Sequence, residues 1–345
     1  MFSASRFPFS LPKMGRLLLR VAAAALGVAL LLAGGTVFGV THPAKAAGGA
    51  NCSATGPIGP FVHRATSANT FGSYTILDDT QAVPVAGCSG QYLAFVTPDW
   101  NPGGTHTGFD NHPVGVWYDD SLQPMVGQWA IANEDGAAMP VGAAFNVYFA
   151  PLGPLSIQNN SAGVGYEEAS TAPNAEATII DNYILALNLP SLWGVSLNGN
   201  PSAQLIVTQS YFFGNSNGKT KISNPHQIGV WYDSALGEWT IYNEDKSPIP
   251  VGATFNLMVV QPTVAFSHAF TQTATSSNTA ADETCINSLF TNNTPSEAIL
   301  VTHVYSGYFT DVPAVYYNST LQQWCVFDGS IKAMLVGAQF SILAF

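Results

Sequence analysis

A spacing of 13 residues between a tryptophan and a glycine occurs three times in this chain and constrains its fold more than any other feature. The pairs are Trp129 and Gly142, Trp239 and Gly252, and Trp324 and Gly337. An aromatic pair precedes each tryptophan, and each glycine begins a Gly-Ala-x-Phe sequence. An invariant spacing indicates that one structural unit was copied.

The copies extend upstream of this signature. Val96-Thr97, Val207-Thr208 and Val301-Thr302 align with one another, and Phe61–Thr66 is aligned with Phe266–Thr271. Short Pro- and Gly-rich joints separate the copies. We therefore predict a linker over 47–58 and β repeats over 59–151, 155–261 and 264–345.

Within each repeat the apolar residues alternate with a period of two, which is typical of strands. In one such stretch Ala143, Phe145 and Val147 point one way, and Ala144, Asn146 and Tyr148 point the other. This alternation suits a sheet with one buried face. No segment after the first 46 residues has a sustained helical period with caps. The fold class predicted is all-β, with three tandem antiparallel β-sandwich or barrel-like units, each with its own core.

Residues 1–46 have the pattern of an export signal. Four basic residues precede an apolar stretch from Val21 to Val40, and Ala44-Lys45-Ala46 provides a small-x-small cleavage site. An uncleaved anchor is the alternative, because about 20 apolar residues can span a bilayer. Cleavage is favoured because the stretch is rich in Ala and Gly. We expect a secreted or cell-surface protein that makes no membrane contact once the signal is removed.

Removal of the signal takes away five of the ten Lys and Arg residues and none of the 21 acids, so the net charge changes from −11 to −16. Phosphate binding needs clustered cations, which this chain lacks. Nucleic acid is therefore excluded as a partner.

The four cysteines are an even number, which permits disulfides in an exported chain. We predict the pairs Cys52–Cys88 and Cys285–Cys325, because each then lies within one repeat. No pair has the short spacing of a zinc site.

The sequence contains no H-E-x-x-H, P-loop or dinucleotide-binding motif. We expect no enzymatic activity and no cofactor.

Polar and aromatic residues are concentrated in the loop around residues 99–112. A shallow sugar site needs an aromatic face and hydrogen-bonding groups, which Trp100, Asn101, Asp110 and His112 would supply. The corresponding residues of the other copies are Tyr211, His226 and Tyr305. The alternative for the histidines is a hydrogen bond to the backbone that fixes the loop entering the strand, and this alternative is favoured.

Carboxylates recur beside the tryptophan strand and are weak calcium candidates, because Ca²⁺ prefers oxygen ligands. They are Asp119, Glu134, Asp135, Asp233, Glu244 and Asp245. A hairpin turn is the favoured alternative, because Asn and Asp stabilise turns and the third copy has Asp328-Gly329-Ser330 instead.

Large aromatic residues in strands usually belong to the core. We assign Trp117, Trp129, Phe145, Trp231, Trp239, Phe255, Trp324 and Phe340 to it.

The best-preserved segments are His112 to Asp119, Trp129 to Asp135 and Met139 to Val147. Together they resemble an uncharacterised tandem-repeat β domain of exported bacterial proteins. The resemblance implies an exported repeat protein and transfers no catalytic residue.

Three hypotheses for function follow. The first is a secreted, non-enzymatic binding or adhesion protein, with surface glycans or other envelope proteins as partners. The second is a structural component of the envelope or matrix that assembles with itself. The third is an extracellular hydrolase.

Overall fold

A computed structural model of the chain describes residues 56–85, 88, 91–104, 108–119, 127–151, 153–157, 161–169, 184–187, 197–210, 222–260 and 268–345. The predicted signal, Cys52 and Tyr211 lie outside these ranges. Among the described residues, no helix has the length and apolar character needed to cross a membrane.

The described residues are almost all in strands, turns and bends, as the alternating pattern predicts. Repeat 1 contains β1 (Ile58–Arg64), β2 (Thr70–Phe71), β3 (Tyr74–Ile76), β4 (Tyr92–Pro98), β5 (Val114–Asp119), β6 (Gln128–Asn133) and β7 (Ala144–Pro151), with short 3-10 turns at Val83–Val85 and Pro102–Gly104. Repeat 2 contains β8 (Gly153–Ile157), β9 (Ser161–Ala169), β10 (Ile184–Leu187), β11 (Gln204–Ser210), β12 (Ile228–Asp233), β13 (Glu238–Asn243) and β14 (Thr254–Val260). Repeat 3 contains β15 (Ala269–Thr273), β16 (Thr279–Ala280), β17 (Glu283–Cys285), β18 (Ile299–Val304), β19 (Pro313–Asn318), β20 (Gln323–Asp328) and β21 (Gln339–Ala344).

Each repeat is a sandwich of two antiparallel sheets. We call the sheet that contains the Gly-Ala-x-Phe strand the inner sheet. Its strand order is β1-β7-β4 in repeat 1, β8-β9-β14-β11 in repeat 2 and β15-β21-β18 in repeat 3. The outer sheet carries the tryptophan strand; it is β2-β3-β6-β5, β10-β13-β12 and β16-β17-β20-β19 in the three repeats. A separate apolar cluster lies inside each repeat, as predicted.

Neighbouring repeats share sheets, which the sequence did not reveal. The outer sheet of repeat 1 continues into the inner sheet of repeat 2 through parallel pairing of β5 with β11, and β12 pairs with β18 in the same way. A parallel bridge between Asp99 and Val315 joins repeat 3 back to repeat 1. The three repeats therefore form a closed ring.

Three threonines connect the inner sheets in a cycle. The backbone N–H of Val96 donates to Thr208 Oγ1 at 3.2 Å, that of Val207 to Thr302 Oγ1 at 2.9 Å, and that of Val301 to Thr97 Oγ1 at 3.0 Å. All three bonds are buried, so water does not compete for these donors. The cycle indicates a pseudo-threefold axis.

A fourth apolar cluster lies around this axis. Its buried members come from all three repeats: Leu93, Phe95, Tyr148, Ala150, Ile206, Met258, Val260, Ala269, Leu300 and Leu343. The inner sheets therefore have two buried faces. The expectation of one buried face is wrong at this point, because Asn146 and Tyr148 turn towards the neighbouring repeats and not towards water.

The repeated glycine has a backbone requirement. Gly142, Gly252 and Gly337 have φ angles of 98°, 93° and 100°. A residue with a Cβ atom rarely adopts such angles, so the turn before the final strand requires glycine.

The predicted core aromatic residues fall into two groups. Trp129, Phe145, Trp239, Phe255, Trp324 and Phe340 are buried. Trp117 and Trp231 are only half-buried, and the prediction that they belong to the core is corrected. They lie on the outer face of the outer sheet, because β5 and β12 alternate and Val116 and Val230 take the inward positions.

The predicted disulfide between Cys285 and Cys325 is confirmed, with the two residues directly opposite each other on β17 and β20. Cys88 is also disulfide-bonded. Its predicted partner, Cys52, lies outside the described residues.

The upstream alignment of the copies needs a correction of four residues. His63 pairs with Phe145 and Gln272 pairs with Phe340, so Phe61 corresponds to Phe270 and not to Phe266. This register also aligns Ala65–Thr70 with Ala274–Thr279, a matching Ala-Thr-Ser-x-Asn-Thr segment.

The shared central cluster predicts that the three repeats unfold together. Leu300→Ala should cost about 2–5 kcal/mol, because this side chain is 1% exposed at the axis. Urea unfolding followed by tryptophan fluorescence should remain a single transition shifted as a whole. Leu289→Ala in the same repeat is the matched control, since Leu289 is 88% exposed and its loss should change stability by less than about 0.5 kcal/mol. A biphasic curve with only part of the signal shifted would contradict cooperative unfolding.

Candidate functional site

The outer faces of the sheets carry aromatic residues at each place where two repeats meet. We call these places junctions. Junction 1–2 joins the outer sheet of repeat 1 to the inner sheet of repeat 2, and junctions 2–3 and 3–1 are named in the same way. Trp117, Trp231 and Tyr316 occupy equivalent positions at the three junctions, on β5, β12 and β19.

Aromatic side chains fill junction 2–3. Tyr305 lies 6.2 Å from Trp231, 5.6 Å from Tyr242 and 5.3 Å from Tyr308, measured between ring centroids. The ammonium group of Lys246 lies 4.2 Å from the centre of the Tyr308 ring. The cluster covers the outer face of the outer sheet.

Junction 3–1 is filled in a similar way. Trp100 lies 5.6 Å from Tyr316 and 6.3 Å from Phe327, and Phe109 lies 5.2 Å from Phe327. Phe327 therefore has the same place in this cluster that Tyr242 has at junction 2–3.

Junction 1–2 has a small residue at this place. Ala132 corresponds to Tyr242 and Phe327, since each stands three residues after the tryptophan of its repeat. A cavity of about 350 Å³ opens beside it. The described residues that line it are Ser73, Tyr74, Trp117, Ala132, Asn133, Glu134, Gly136 and Ser223.

Two aromatic rings form the apolar part of this cavity. Tyr74 and Trp117 are both half-buried and meet edge to face, with ring centroids 5.3 Å apart. Strand pairing of β3 with β6 and of β6 with β5 places them side by side on the same face. The sheet thus presents a fixed aromatic wall.

Glu134 forms the polar part. The Ser223 hydroxyl from repeat 2 shares its one proton between Glu134 Oε2, at 2.6 Å, and the Glu134 backbone carbonyl. Burial raises the pKa of Glu134 to about 7, and the hydrogen bonds from Ser223 and from the Asn224 backbone limit this increase. The carboxyl group therefore changes its charge near neutral pH.

A glycine makes room for this carboxyl group. A Cβ atom on Gly115 would lie 1.9 Å from Glu134 Oε1, and one on Gly229 would lie 2.3 Å from Glu244 Oε1. Repeat 3 has Ala314 at the glycine position and Gly329 at the glutamate position. Glycine is thus present where the glutamate is present and is replaced where the glutamate is absent, because a Cβ atom would collide with the carboxyl group.

Glu244, the counterpart of Glu134, is fully buried at junction 2–3. Its Oε1 accepts from Tyr242 Oη at 2.9 Å and lies 2.5 Å from His303 Nδ1, and its Oε2 accepts from the Phe309 N–H at 2.8 Å. Protein groups thus bond to both carboxylate oxygens of Glu244, whereas Glu134 lines the cavity at junction 1–2.

Three tandem matches to one family model, at residues 52–149, 157–260 and 234–344, cover most of the chain. The chain belongs to the family DUF7452, a domain of unknown function. No curated protein and no solved structure matches it. The prediction of an uncharacterised tandem-repeat domain is confirmed.

The structure gives other roles to most of the loop residues predicted as a sugar site in the first DUF7452 copy. Asn101 is buried and bonds through both amide atoms to the backbone of Tyr317, which ties repeat 1 to repeat 3. Asp110 is buried and accepts from Asn133 and from the His112 backbone. Trp100 packs in junction 3–1. Asn101 and Asp110 are therefore too buried to bind a sugar, whereas sugar binding by Trp100 stays a prediction.

The two repeated histidines contact aspartate side chains, whereas the favoured alternative predicted hydrogen bonds to the backbone. His112 Nδ1 lies 2.7 Å from Asp135 Oδ2, and His226 Nδ1 lies 2.8 Å from Asp245 Oδ2. In the third DUF7452 copy Asp311 stands at the histidine position and pairs with Lys332, whereas Ser330 stands at the aspartate position. A polar contact across this turn is thus present in all three copies. Tyr305 packs in junction 2–3, and its counterpart Tyr211 lies outside the described residues.

The calcium candidates do not converge among the residues whose side chains the structure describes. Asp135 and Asp245 face histidines, and Glu134 and Glu244 lie at different junctions. Asp233 accepts from the backbone N–H groups of Ala235 and Leu236. These contacts are those of turns, and the side chain of Asp119 is not among those described.

Sequence reasoning missed the residues that form the cavity at junction 1–2. Tyr74, Ala132 and Ser223 come from three separate segments, and Ser223 belongs to another repeat. The signal that could have identified the cavity was Ala132, because the equivalent residues of the other two repeats are the large Tyr242 and Phe327.

The raised pKa of Glu134 predicts a loss of stability with rising pH. The folded protein retains a proton that the unfolded chain releases above its ordinary pKa of 4.5, so this group stabilises the fold most below pH 4.5 and progressively less up to about pH 7. Glu134→Gln should reduce the difference in unfolding free energy between pH 5 and pH 8 by about 2 kcal/mol, as measured by urea denaturation. Asp99 and Asp110 also have pKa values raised by burial, to about 7 and about 6, but they are present in both proteins. The assignment of this pH dependence to Glu134 would be refuted if the unaltered protein and the Glu134→Gln protein showed the same difference in unfolding free energy between pH 5 and pH 8.

Proposed function

We propose that the protein is a secreted carbohydrate-binding protein whose sugar site is the cavity at junction 1–2. The observation that carries this proposal is Ala132, the small residue at the place of Tyr242 and Phe327, beside which the described residues leave a cavity. The cavity volume of about 350 Å³ lies within the roughly 300–1,000 Å³ typical of small-ligand sites.

The chemistry of the lining suits a pyranose ring. Trp117 and Tyr74, at an interplanar angle of 82°, offer a rigid aromatic corner against which the C–H face of a sugar can pack, since aromatic faces carry partial negative charge. Glu134, Asn133 and Ser223 lie at the edge of this surface and can exchange hydrogen bonds with hydroxyl groups. An apolar wall with a few placed polar groups is the usual composition of such a site.

The charge of the chain narrows the ligand class. With a net charge of −16 after removal of the signal, the protein would repel acidic sugars, so a neutral hexose or an N-acetylated hexose is the expected ligand. Secretion is supported by the basic and apolar start of the chain and by the Cys285–Cys325 disulfide, which is typical of oxidising compartments.

A catalytic function is not favoured by the described residues. His63 is placed between Asp79 and the Thr75 hydroxyl in the manner of a nucleophile triad. His63 and Thr75 are both fully buried, so no substrate reaches that hydroxyl.

The test is a glycan array with the purified protein, followed by calorimetry with the best ligand. Trp117→Ala should weaken binding by at least about 10-fold, because it removes the aromatic anchor. Ala132→Tyr should abolish binding by filling the cavity while leaving the protein folded, since repeat 2 carries this tyrosine naturally.

Trp231→Ala is the matched control, because it removes the equivalent aromatic residue from a filled junction and should leave affinity unchanged. Absence of binding to any neutral glycan would refute the proposal. So would binding that is indifferent to both Trp117→Ala and Ala132→Tyr.

A further inference from the structure

A histidine and two aspartates converge in repeat 1, away from the junctions. The ligand-type atoms of His63, Asp78 and Asp79 all lie within 4.8 Å of one another. His63 Nδ1 is 2.6 Å from Asp79 Oδ2. The histidine side chain is buried, and the two carboxylates extend towards solvent. The group therefore has a fixed inner end and an accessible outer end.

A chain of hydrogen bonds determines which nitrogen of His63 carries a proton. Asn69 Nδ2 donates to the Arg64 carbonyl and to Asp78 Oδ1, so Asn69 Oδ1 is oriented as an acceptor. Thr75 Oγ1 lies 3.1 Å from this oxygen and donates its hydroxyl proton there.

Because the Thr75 hydroxyl proton is used in this way, Thr75 Oγ1 accepts from His63. The distance between His63 Nε2 and Thr75 Oγ1 is 2.9 Å, so Nε2 carries the hydrogen. His63 Nδ1 therefore points either a second N–H or its lone pair towards Asp79 Oδ2. At 2.6 Å the two atoms are joined by a hydrogen bond, and a cation bound to both atoms would replace that proton and move them apart.

Repeat 3 shows that the fold does not require these charges. Gln272 stands at the position of His63, and its Nε2 donates to Thr284 Oγ1 at 3.0 Å. Thr284 bonds to Asn278 as Thr75 bonds to Asn69. The two aspartate positions are Asn287 and Ser288 in repeat 3. All three ionisable groups are thus replaced by neutral ones, while the hydrogen-bonded framework is retained.

We propose that His63 Nδ1, Asp78 and Asp79 bind a divalent transition-metal ion, with Zn²⁺ as the best-fitting ion. One imidazole nitrogen and two carboxylates are zinc ligands, and a water molecule would complete four-coordination. The imidazole nitrogen selects against Mg²⁺ and Ca²⁺, which prefer oxygen ligands.

The surroundings match those of a metal-binding histidine. Such a residue usually donates its second ring N–H to a neighbouring acceptor, which fixes the ring, and here the acceptor is Thr75. The Asn69 amide orients Asp78 in the same manner.

The test is titration of the full, untagged protein with ZnCl₂ by calorimetry at pH 7.5, after treatment with EDTA. We expect one ion bound per chain and a rise in melting temperature on zinc addition. His63→Gln and Asp79→Ser introduce the residues of repeat 3, and each should weaken binding by more than the about 10–100-fold typical of losing a second-shell partner. In EDTA the His63→Gln protein should melt near the unaltered protein, because glutamine retains the donor to the threonine.

His112→Gln is the matched control, because His112 also faces an aspartate but lies outside the three-ligand cluster. It should bind zinc with unchanged affinity. The proposal is overturned if no stoichiometric zinc binding occurs. It is also overturned if Asp79→Ser and His63→Gln both bind as the unaltered protein does, or if Ca²⁺ displaces Zn²⁺ at equal concentration. Should His63→Gln fail to fold, Asp79→Ser alone decides.

Discussion

Parallel pairing between strands of successive repeats is the constraint on which the rest of this structure depends. Each repeat exposes the edge of its outer sheet at β5, β12 or β19, and the next repeat covers that edge with an inner-sheet strand. An uncovered edge of this kind would attract other chains. The cycle of threonine hydrogen bonds and the apolar cluster at the axis are consequences of the same arrangement, because they need all three inner sheets to face one another.

Much of the repeat unit was predictable from sequence, and the reasons are local. A period of two identifies strands, glycine marks the turn at Gly142, and the even cysteine count led to the Cys285–Cys325 pair. The pairing of β5 with β11 was not predictable, since backbone hydrogen bonds across an edge leave no side-chain pattern. The upstream misalignment has a related cause: two phenylalanines, Phe266 and Phe270, lie four residues apart, and only the strand register distinguishes them.

The candidate site was harder to predict than the fold because its cavity depends on one small side chain. A search for reactive or polar residues selects Trp100, Asn101 and His112, and the structure uses these in packing and loop support. Ala132 attracts no notice as a single residue. Its meaning comes from the equivalent positions of the other repeats, which carry large rings. Comparison between copies within one chain thus substitutes for comparison between proteins.

Closure of the ring also bears on how such a chain can change in length. Each repeat covers its predecessor and is covered by its successor, so no repeat is terminal in the way that end units of open arrays are. We expect that deletion of one unit would leave two unmatched sheet edges, and that a fourth unit with the same junction geometry would collide with the first. Gene rearrangements that add or remove single units should therefore be eliminated, whereas loop insertions should be tolerated. The copy number is set by geometry, and the copies differ from one another in their loops and at their junctions.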